Sequence, residues 1–416
     1  MDSANPLGGS VRASVVPLEH LDEVQGERLT GRFVRVRNAS RVNVTQADGG
    51  EASPVPIGDA VTNADGDFLF EPGRGGGRVD KVFVADADFL GRYVEASRFG
   101  EVNTYYHIDR MAAYVDQLLR QLMAPSLPQV TVVVNAHHAA TEANGIRDGL
   151  RRCGRWVAFQ GGHYRLPSRK YDIKEYEPLS PDGEIHLGPG RRLLHHGALV
   201  EAAGGRYRAN ASHNAGIIYH EYGHHIVRHT ADLRANRLRS PERQDNRKTA
   251  LDEGTCDYWT ATMLGVPHIW AWHRRHDHEV VHPRSLVSSK TLADFDSGPK
   301  ADPHANGTIW ASALWDFRTR LVMENFDGAR RADLIVLKSL LLLGELFAPM
   351  EAPCRKATRR LRNDFGVALN SLLQADETLY AGRHSEEILT VFASRGIVAT
   401  AGDRGIGAEL VCGQRY

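Results

Sequence analysis

The sequence predicts a mixed α+β protein, with strands concentrated near the N-terminus and helices toward the C-terminus. From Leu29 to about Asp88, short strand-like runs alternate with turn signals. From about Pro303 onward, apolar residues recur at helical spacing. At 416 residues the chain is long enough for two or more domains or lobes.

The N-terminal part of the chain is expected to hold two different regions. Residues 1–28 show no regular pattern and are expected to be poorly structured. Residues 29–90 are expected to form a β-rich accessory module, in which Phe33 to Arg37 alternates like a half-buried strand. As a whole this region resembles a small β-sandwich module. Within this module, Thr62 to Phe68 has the composition of a hairpin turn that leads into a strand.

The main domain is expected to cover residues 91–400, followed by a tail at residues 401–416. Apolar residues at helical spacing predict a helix from near Val102 to Leu122. Val130 to Val134 is expected to be a buried strand, and Glu184 to Leu187 alternates like the edge strand of a sheet.

Charge, hydropathy and cysteine content exclude several classes of protein. Lys plus Arg and Asp plus Glu number 51 each, so no general attraction to nucleic acid or to an anionic membrane is expected. The apolar run Leu334 to Leu346 contains Lys338 and Glu345 and is too short to span a bilayer, so we expect a core helix. The four cysteines show no Cys-x-x-Cys spacing that would indicate a structural zinc site. No signal peptide is visible, which predicts a cytoplasmic protein or export by a non-classical route.

The most informative motif is His220-Glu221-Tyr222-Gly223-His224. On an α-helix, residues at i and i+4 lie on one face, so both imidazoles can bind one metal ion. Glu221 then projects beside the metal, where a carboxylate can act as a general base. The alternative is a surface helix that carries two histidines by chance.

A second motif lies about thirty residues downstream, in Asp252-Glu253-Gly254-Thr255-Cys256-Asp257. A catalytic zinc takes three protein ligands, and two His plus one Glu is a common set, so Glu253 is the candidate third ligand. Asp257, one helical turn later, can accept the free N–H of a ligand histidine. The alternative for Glu253 is an acidic residue that is favoured at a helix N-terminus by the helix dipole.

Together these motifs resemble the thermolysin-type gluzincin zinc metallopeptidases, and among them the fungalysin-like group. The segment Asp302 to Trp315 resembles the one in which such enzymes place a histidine that supports the transition state. The stretches 368–376 and 392–397 resemble the closing helices of the fungalysin catalytic domain. The resemblance covers roughly residues 100–397 and implies a thermolysin-like two-lobed domain, with the zinc helix at about 214–229 and a helical C-lobe at about 250–400.

The resemblance implies a zinc-dependent metalloendopeptidase that acts on a peptide or protein substrate. One catalytic Zn²⁺ would be held by His220, His224 and Glu253, and Glu221 would activate the zinc-bound water. His304 would donate a hydrogen bond to the developing oxyanion.

The partner of His304 and the function itself both remain open in the sequence. Either Asp302 or Asp296 could orient the His304 ring. Two other functions also stay open: a zinc hydrolase of a non-peptide amide, and a binding protein whose metal site is vestigial.

Overall fold

The structure is a computed structural model, which describes most of the chain in separate segments. The described residues are 14–22, 28–39, 41–44, 53–56, 58–70, 87–139, 156–158, 161–166, 180–188, 192–195, 198–201, 210–233, 249–269, 284–347 and 361–400. The start of the predicted N-terminal region, before residue 14, and the predicted tail at 401–416 lie outside them.

The described strands all precede the helix that carries the His-Glu-x-x-His motif. They are β1 Val34–Asn38, β2 Arg41–Val44, β3 Ser53–Pro56, β4 Val130–Val134, β5 His137–Ala139, β6 Trp156–Ala158, β7 Gly162–Arg165, β8 Glu184–Leu187, β9 Arg192–His195 and β10 Ala198–Glu201. The α-helices are α1 Ala87–Gln121, α2 Ala215–His229, α3 Ala250–Leu264, α4 Pro303–Glu324, α5 Gly328–Phe347, α6 Phe365–Tyr380 and α7 Ser385–Ser394.

The chain divides into two compact units. The first comprises residues 1–113, 128–222 and 268–284, and the second comprises residues 114–127, 223–267 and 285–416. Every described strand belongs to the first unit, whereas the described residues of the second form helices and their connections. The predicted α+β class, with a mostly helical C-terminal part, is confirmed.

The largest described sheet has the strand order β1-β4-β8-β7. Strands β1, β4 and β8 are parallel, and β7 pairs antiparallel with β8. Strand β8 therefore lies inside this sheet, and the prediction that Glu184–Leu187 is an edge strand was wrong. Alternation along a strand reports which face is buried, but it does not report whether both edges are paired.

The position of β1 corrects one part of the expected domain division. Val34–Asn38 pairs residue by residue with Val130–Val134, so this strand of the expected accessory module belongs to the central sheet. The physical reason is that Val34 and Val36 are fully or almost fully buried, and the valines of β4 continue the same apolar layer. Strands β2 and β3 form a separate antiparallel pair.

The helices of the second unit bury the apolar runs that the sequence identifies. Leu334 to Leu346 falls within α5, where Ile335 and Leu337 are completely buried, so the predicted core helix is confirmed.

Helix α1 includes the predicted helix that ends near Leu122 but begins earlier, at Ala87. Among the described residues, no helix combines the length and apolarity needed to cross a membrane.

Candidate metal centre

The His-Glu-x-x-His motif lies on α2, a helix of 15 residues that is buried almost throughout. His220, Glu221 and His224 are 2%, 4% and 2% exposed. Asn214 begins the helix, since its Oδ1 accepts the backbone N–H of Gly216 at 2.9 Å. Burial of this kind excludes a surface helix that carries two histidines by chance, because ionisable groups are rarely buried without a partner or a role.

The His224 ring lies between two acidic residues that are neighbours in the sequence. Its Nε2 is 3.6 Å from Oε2 of Glu253, and its Nδ1 is 3.0 Å from Oδ1 of Asp252. An ionised carboxylate can only accept, so the Nδ1–H of His224 donates to Asp252. This hydrogen bond keeps the ring proton on Nδ1 and leaves a lone pair on Nε2. Nε2 faces Glu253, and in this tautomer it can bind a metal ion.

Helix α3 brings these two acidic side chains to the ring. Its N-cap is Thr249, whose hydroxyl accepts the backbone N–H of Asp252 at 3.2 Å. Glu253 is completely buried in the first turn, where the helix dipole favours a negative charge. Cys256, one turn after Asp252, brings its Sγ to 3.1 Å from Nδ1 of His224.

The contact between Asp252 and His224 was missed in the sequence analysis. The sequence predicts Asp257 as the acceptor for a ligand histidine, but for His224 that acceptor is Asp252. The role of Asp257, which is fully buried on the same helix, stays a prediction. The only sequence signal for Asp252 is its position before Glu253, and consecutive helix residues point about 100° apart, so they seldom reach one ring.

His304 lies against Glu253 in the second unit. Its Nε2 is 3.1 Å from Oε2 of Glu253, and its side chain is 30% exposed. The Nδ1 of His304 is 2.8 Å from Oδ1 of Asp302, which also caps α4 by accepting the backbone N–H of His304 at 3.0 Å. Asp302 therefore holds the ring, whereas Asp296 has its backbone N–H and C=O bonded to the side-chain amide of Asn306.

A close crossing of α3 and α4 explains why Glu253 and His304 meet. A methyl group on Gly254 would lie 2.4 Å from the carbonyl oxygen of Gly307. In the reverse direction, a methyl group on Gly307 would lie 2.7 Å from the backbone nitrogen of Gly254. The two helices thus touch through their backbones, which only glycine at both positions allows.

Glu221 lies beneath strand β7 in the first unit. A methyl group on Gly162 would lie 2.6 Å from Cγ of Glu221 and 2.7 Å from its Oε1. Only a residue without a side chain fits over this carboxylate, so the backbone of β7 passes directly above the candidate base.

The residues present fit a zinc ion by their chemistry. Two imidazoles one helical turn apart and a buried carboxylate are a ligand set that zinc takes in catalytic sites. The hydrogen bond from His224 to Asp252 is the kind of outer contact that metal-binding histidines make.

The region that contains these residues matches a known protein family. Residues 203–401 match the model of the family described as fungalysin metallopeptidase (M36). This region is fungalysin-like. The resemblance that the sequence motifs indicated is thereby confirmed for the part of the chain that contains α2, α3 and α4.

Similar proteins carry names of the same kind. An Aspergillus fumigatus protein named extracellular metalloproteinase mep is 27% identical over 237 residues, which cover 53% of this chain and 34% of the relative. A protein of the same name from Aspergillus flavus is 30% identical over 114 residues, which cover 27% of this chain and 17% of the relative. The matched part of the chain thus spans about a third of the length of the first relative.

A solved structure, the precursor of protealysin, a metalloproteinase from Serratia proteamaculans, aligns with 88% of each chain. The sequence identity of this pair is 11% and the TM-score is 0.43.

Proposed function

We propose that this fungalysin-like protein is a zinc-dependent metalloendopeptidase. The observation that carries the proposal is the position of His224, whose Nε2 faces Glu253 while its Nδ1–H is held by Asp252. A ring fixed in this tautomer, on a buried His-Glu-x-x-His helix, has the arrangement that a catalytic zinc site requires.

His220, His224 and Glu253 would hold the metal. His220 is assigned as a ligand because it lies one helical turn before His224 on the same helix. Glu253 is assigned because its carboxylate lies close to Nε2 of His224. Zinc, when bound, would supply a Lewis acid that polarises the scissile carbonyl and lowers the pKa of a water molecule.

Glu221 would be the general base. Its carboxylate would take a proton from the attacking water and deliver it to the leaving amine. Burial beneath β7 excludes bulk water from this carboxylate, and Gly162 leaves room for it. His304, oriented by Asp302, would donate from Nε2 to the developing oxyanion.

Strand β7 offers a place for the backbone of an extended peptide. Gly188 donates to the carbonyl of Gly161 at 2.8 Å, which makes this a hydrogen-bonded pair of the antiparallel ladder. Because such pairs alternate, the N–H and C=O of Gly162 point away from β8. Strand β7 is the last strand of this sheet among the described residues, so the backbone of Gly162 can bind that of a peptide beside Glu221.

The test is hydrolysis of casein and of an internally quenched peptide library by the purified chain. We expect internal cleavage that o-phenanthroline abolishes and that stoichiometric Zn²⁺ restores, with the products identified by mass spectrometry. Release of single terminal residues would contradict an endopeptidase.

Two other outcomes would favour the alternative functions. Metal-dependent hydrolysis of simple amides without cleavage of any peptide would favour a non-peptide amidase. Stoichiometric zinc without any hydrolysis would favour a binding protein with a vestigial centre.

A further inference from the structure

His224 has a second group of potential metal ligands on the side of its ring that faces away from Glu253. Three donor atoms converge there: Nδ1 of His224, Oδ1 of Asp252 and Sγ of Cys256. Nδ1 is 3.0 Å from the carboxylate oxygen and 3.1 Å from the sulfur, and the sulfur is 3.9 Å from the same oxygen. All three residues are buried, so the cluster is fixed by the packing of α2 against α3.

These separations are close to those of ligands that share one metal ion. With metal–nitrogen and metal–sulfur distances of about 2.0–2.1 and 2.3 Å, tetrahedral angles give ligand–ligand distances of roughly 3.3–3.7 Å. Each observed separation differs from that range by a few tenths of an ångström, so the three donors need only small shifts to bind one ion.

We propose that His224, Asp252 and Cys256 form a second metal site, selective for thiophilic divalent ions. The thiol selects soft ions, because thiolate ligands favour zinc, cadmium and similar metals over magnesium or calcium. The catalytic ligand set proposed above contains no sulfur. The two sites share His224 but use opposite ring nitrogens.

Sharing one ring makes the two sites antagonistic. A metal on Nδ1 displaces the proton from that atom, and the neutral ring then carries its proton on Nε2, where it donates to Glu253. Cys256 loses its thiol proton to solvent, and Asp252 exchanges a hydrogen bond for a metal bond. A metal on Nε2 instead keeps the proton on Nδ1. Ions in the second site should therefore keep zinc from the catalytic one.

The experiment uses Cd²⁺ as the probe and the full-length chain. Cys153, Cys354 and Cys412 are replaced by serine, which leaves Cys256 as the only thiol. The metal-free variant is titrated with Cd²⁺ while the ultraviolet charge-transfer band of a cadmium thiolate and the bound cadmium are measured. We expect this band to saturate at one thiolate-bound cadmium per chain, and we expect prior loading with one equivalent of Zn²⁺ to suppress it.

Two further variants, made in that triple-serine background, decide the assignment. Cys256→Ser should abolish the band, and Asp252→Asn should weaken cadmium binding by about tenfold or more because a charged ligand is lost. Circular dichroism checks that each variant is folded. If Cys256→Ser does not fold, the cadmium affinity of Asp252→Asn decides whether the second site exists. No band in the triple-serine variant, or unchanged affinity in Asp252→Asn, would overturn the proposal.

This inference rests on the proposed function, but the two proposals are tested by different measurements and can be refuted independently. The charge-transfer band is read without any substrate, so it can appear in a protein that cleaves no peptide. Peptide hydrolysis in a protein that shows no band would overturn the second site and leave the peptidase proposal intact.

Discussion

Oε2 of Glu253 and Nε2 of His304 are 3.1 Å apart, although the two residues lie in the first turns of different helices. The contact depends on the glycine pair at which α3 and α4 touch. Any side chain at that crossing must push the helices apart, and Glu253 and His304 would separate with them.

The first prediction tests this crossing. Gly307→Ala should lower kcat, with little change in KM or in bound zinc, because His304 is displaced while all three proposed ligands remain. The control is Gly344→Ala, in which the added methyl group would meet the carbonyl oxygen of Thr230 at 2.2 Å, in another part of the same unit. An equal loss of kcat per folded molecule in both variants would indicate general destabilisation.

The second prediction separates the roles of Asp252 and Asp257. Asp252→Asn should weaken zinc binding by about 10–100-fold, because the His224 N–H loses its ionised acceptor. The measurement is competition with a chromophoric chelator, and Asp257→Asn provides the matched comparison on the same helix. Unchanged zinc affinity in Asp252→Asn would contradict its assignment as the partner of His224.

The third prediction separates the proposed base from the proposed ligands. Glu221→Gln removes a base and no ligand, so zinc should stay bound while kcat falls by a factor of about a hundred or more. Glu253→Ala should lose zinc and activity together. Zinc content by elemental analysis and peptide hydrolysis are measured on both variants, and equal zinc loss would refute the assigned roles.

The fourth prediction concerns His304. If its Nε2 donates only as the oxyanion develops, His304→Ala should cost about 2.7–4 kcal/mol in kcat, with KM and zinc content little changed. Asp302→Ala keeps the imidazole but removes the acceptor of its Nδ1–H, so it should lose less activity. A near-normal kcat in His304→Ala would leave this residue without a catalytic role.

The fifth prediction is a pH dependence of stability that does not involve the metal centre. Burial raises the pKa of Glu101 from 4.5 to about 8, with the nearby Asp59 adding to the rise and hydrogen bonds from Ala60 and Asn38 opposing it. Between these two pH values the folded state keeps a proton that the unfolded state has lost. The stabilisation is therefore complete below pH 4.5 and is lost as pH rises toward about 8.

The matched variant for this prediction is Glu101→Gln, which cannot titrate. Its free energy of unfolding should fall less steeply with pH than that of the wild type, by up to about 4 kcal/mol between pH 5 and pH 9. Denaturant unfolding at a series of pH values measures both slopes. Parallel curves for the two proteins would show that Glu101 does not titrate in this range.

Local patterns in the sequence were enough to predict the parts of the site that depend on helical spacing. His220 and His224 are related by one helical turn, so no long-range information is needed to place them on one helix face. The sequence offered both Asp302 and Asp296 as the partner of His304, and the structure shows the hydrogen bond to Asp302. The contact of Asp252 with His224 depends on how closely α2 and α3 pack, and spacing alone does not encode that distance.

In the sheet, too, the sequence predicted individual strands from local patterns but did not predict which strands pair. The alternation of Phe33 to Arg37 predicted a strand correctly, but the partner of this strand lies almost a hundred residues away, at Val130 to Val134. Strand β8 was assigned to an edge because its own residues alternate, and that alternation does not show that β7 pairs with its other side. Both errors concern pairing partners, which a strand's own residues do not specify.

The boundary between the two compact units falls inside α2, between Tyr222 and Gly223. His220 and Glu221 are therefore assigned to the first unit, and His224 to the second. A protease that cut the chain within this helix would separate the two histidines that are proposed as zinc ligands. Zinc retention would then report whether this one helix is intact.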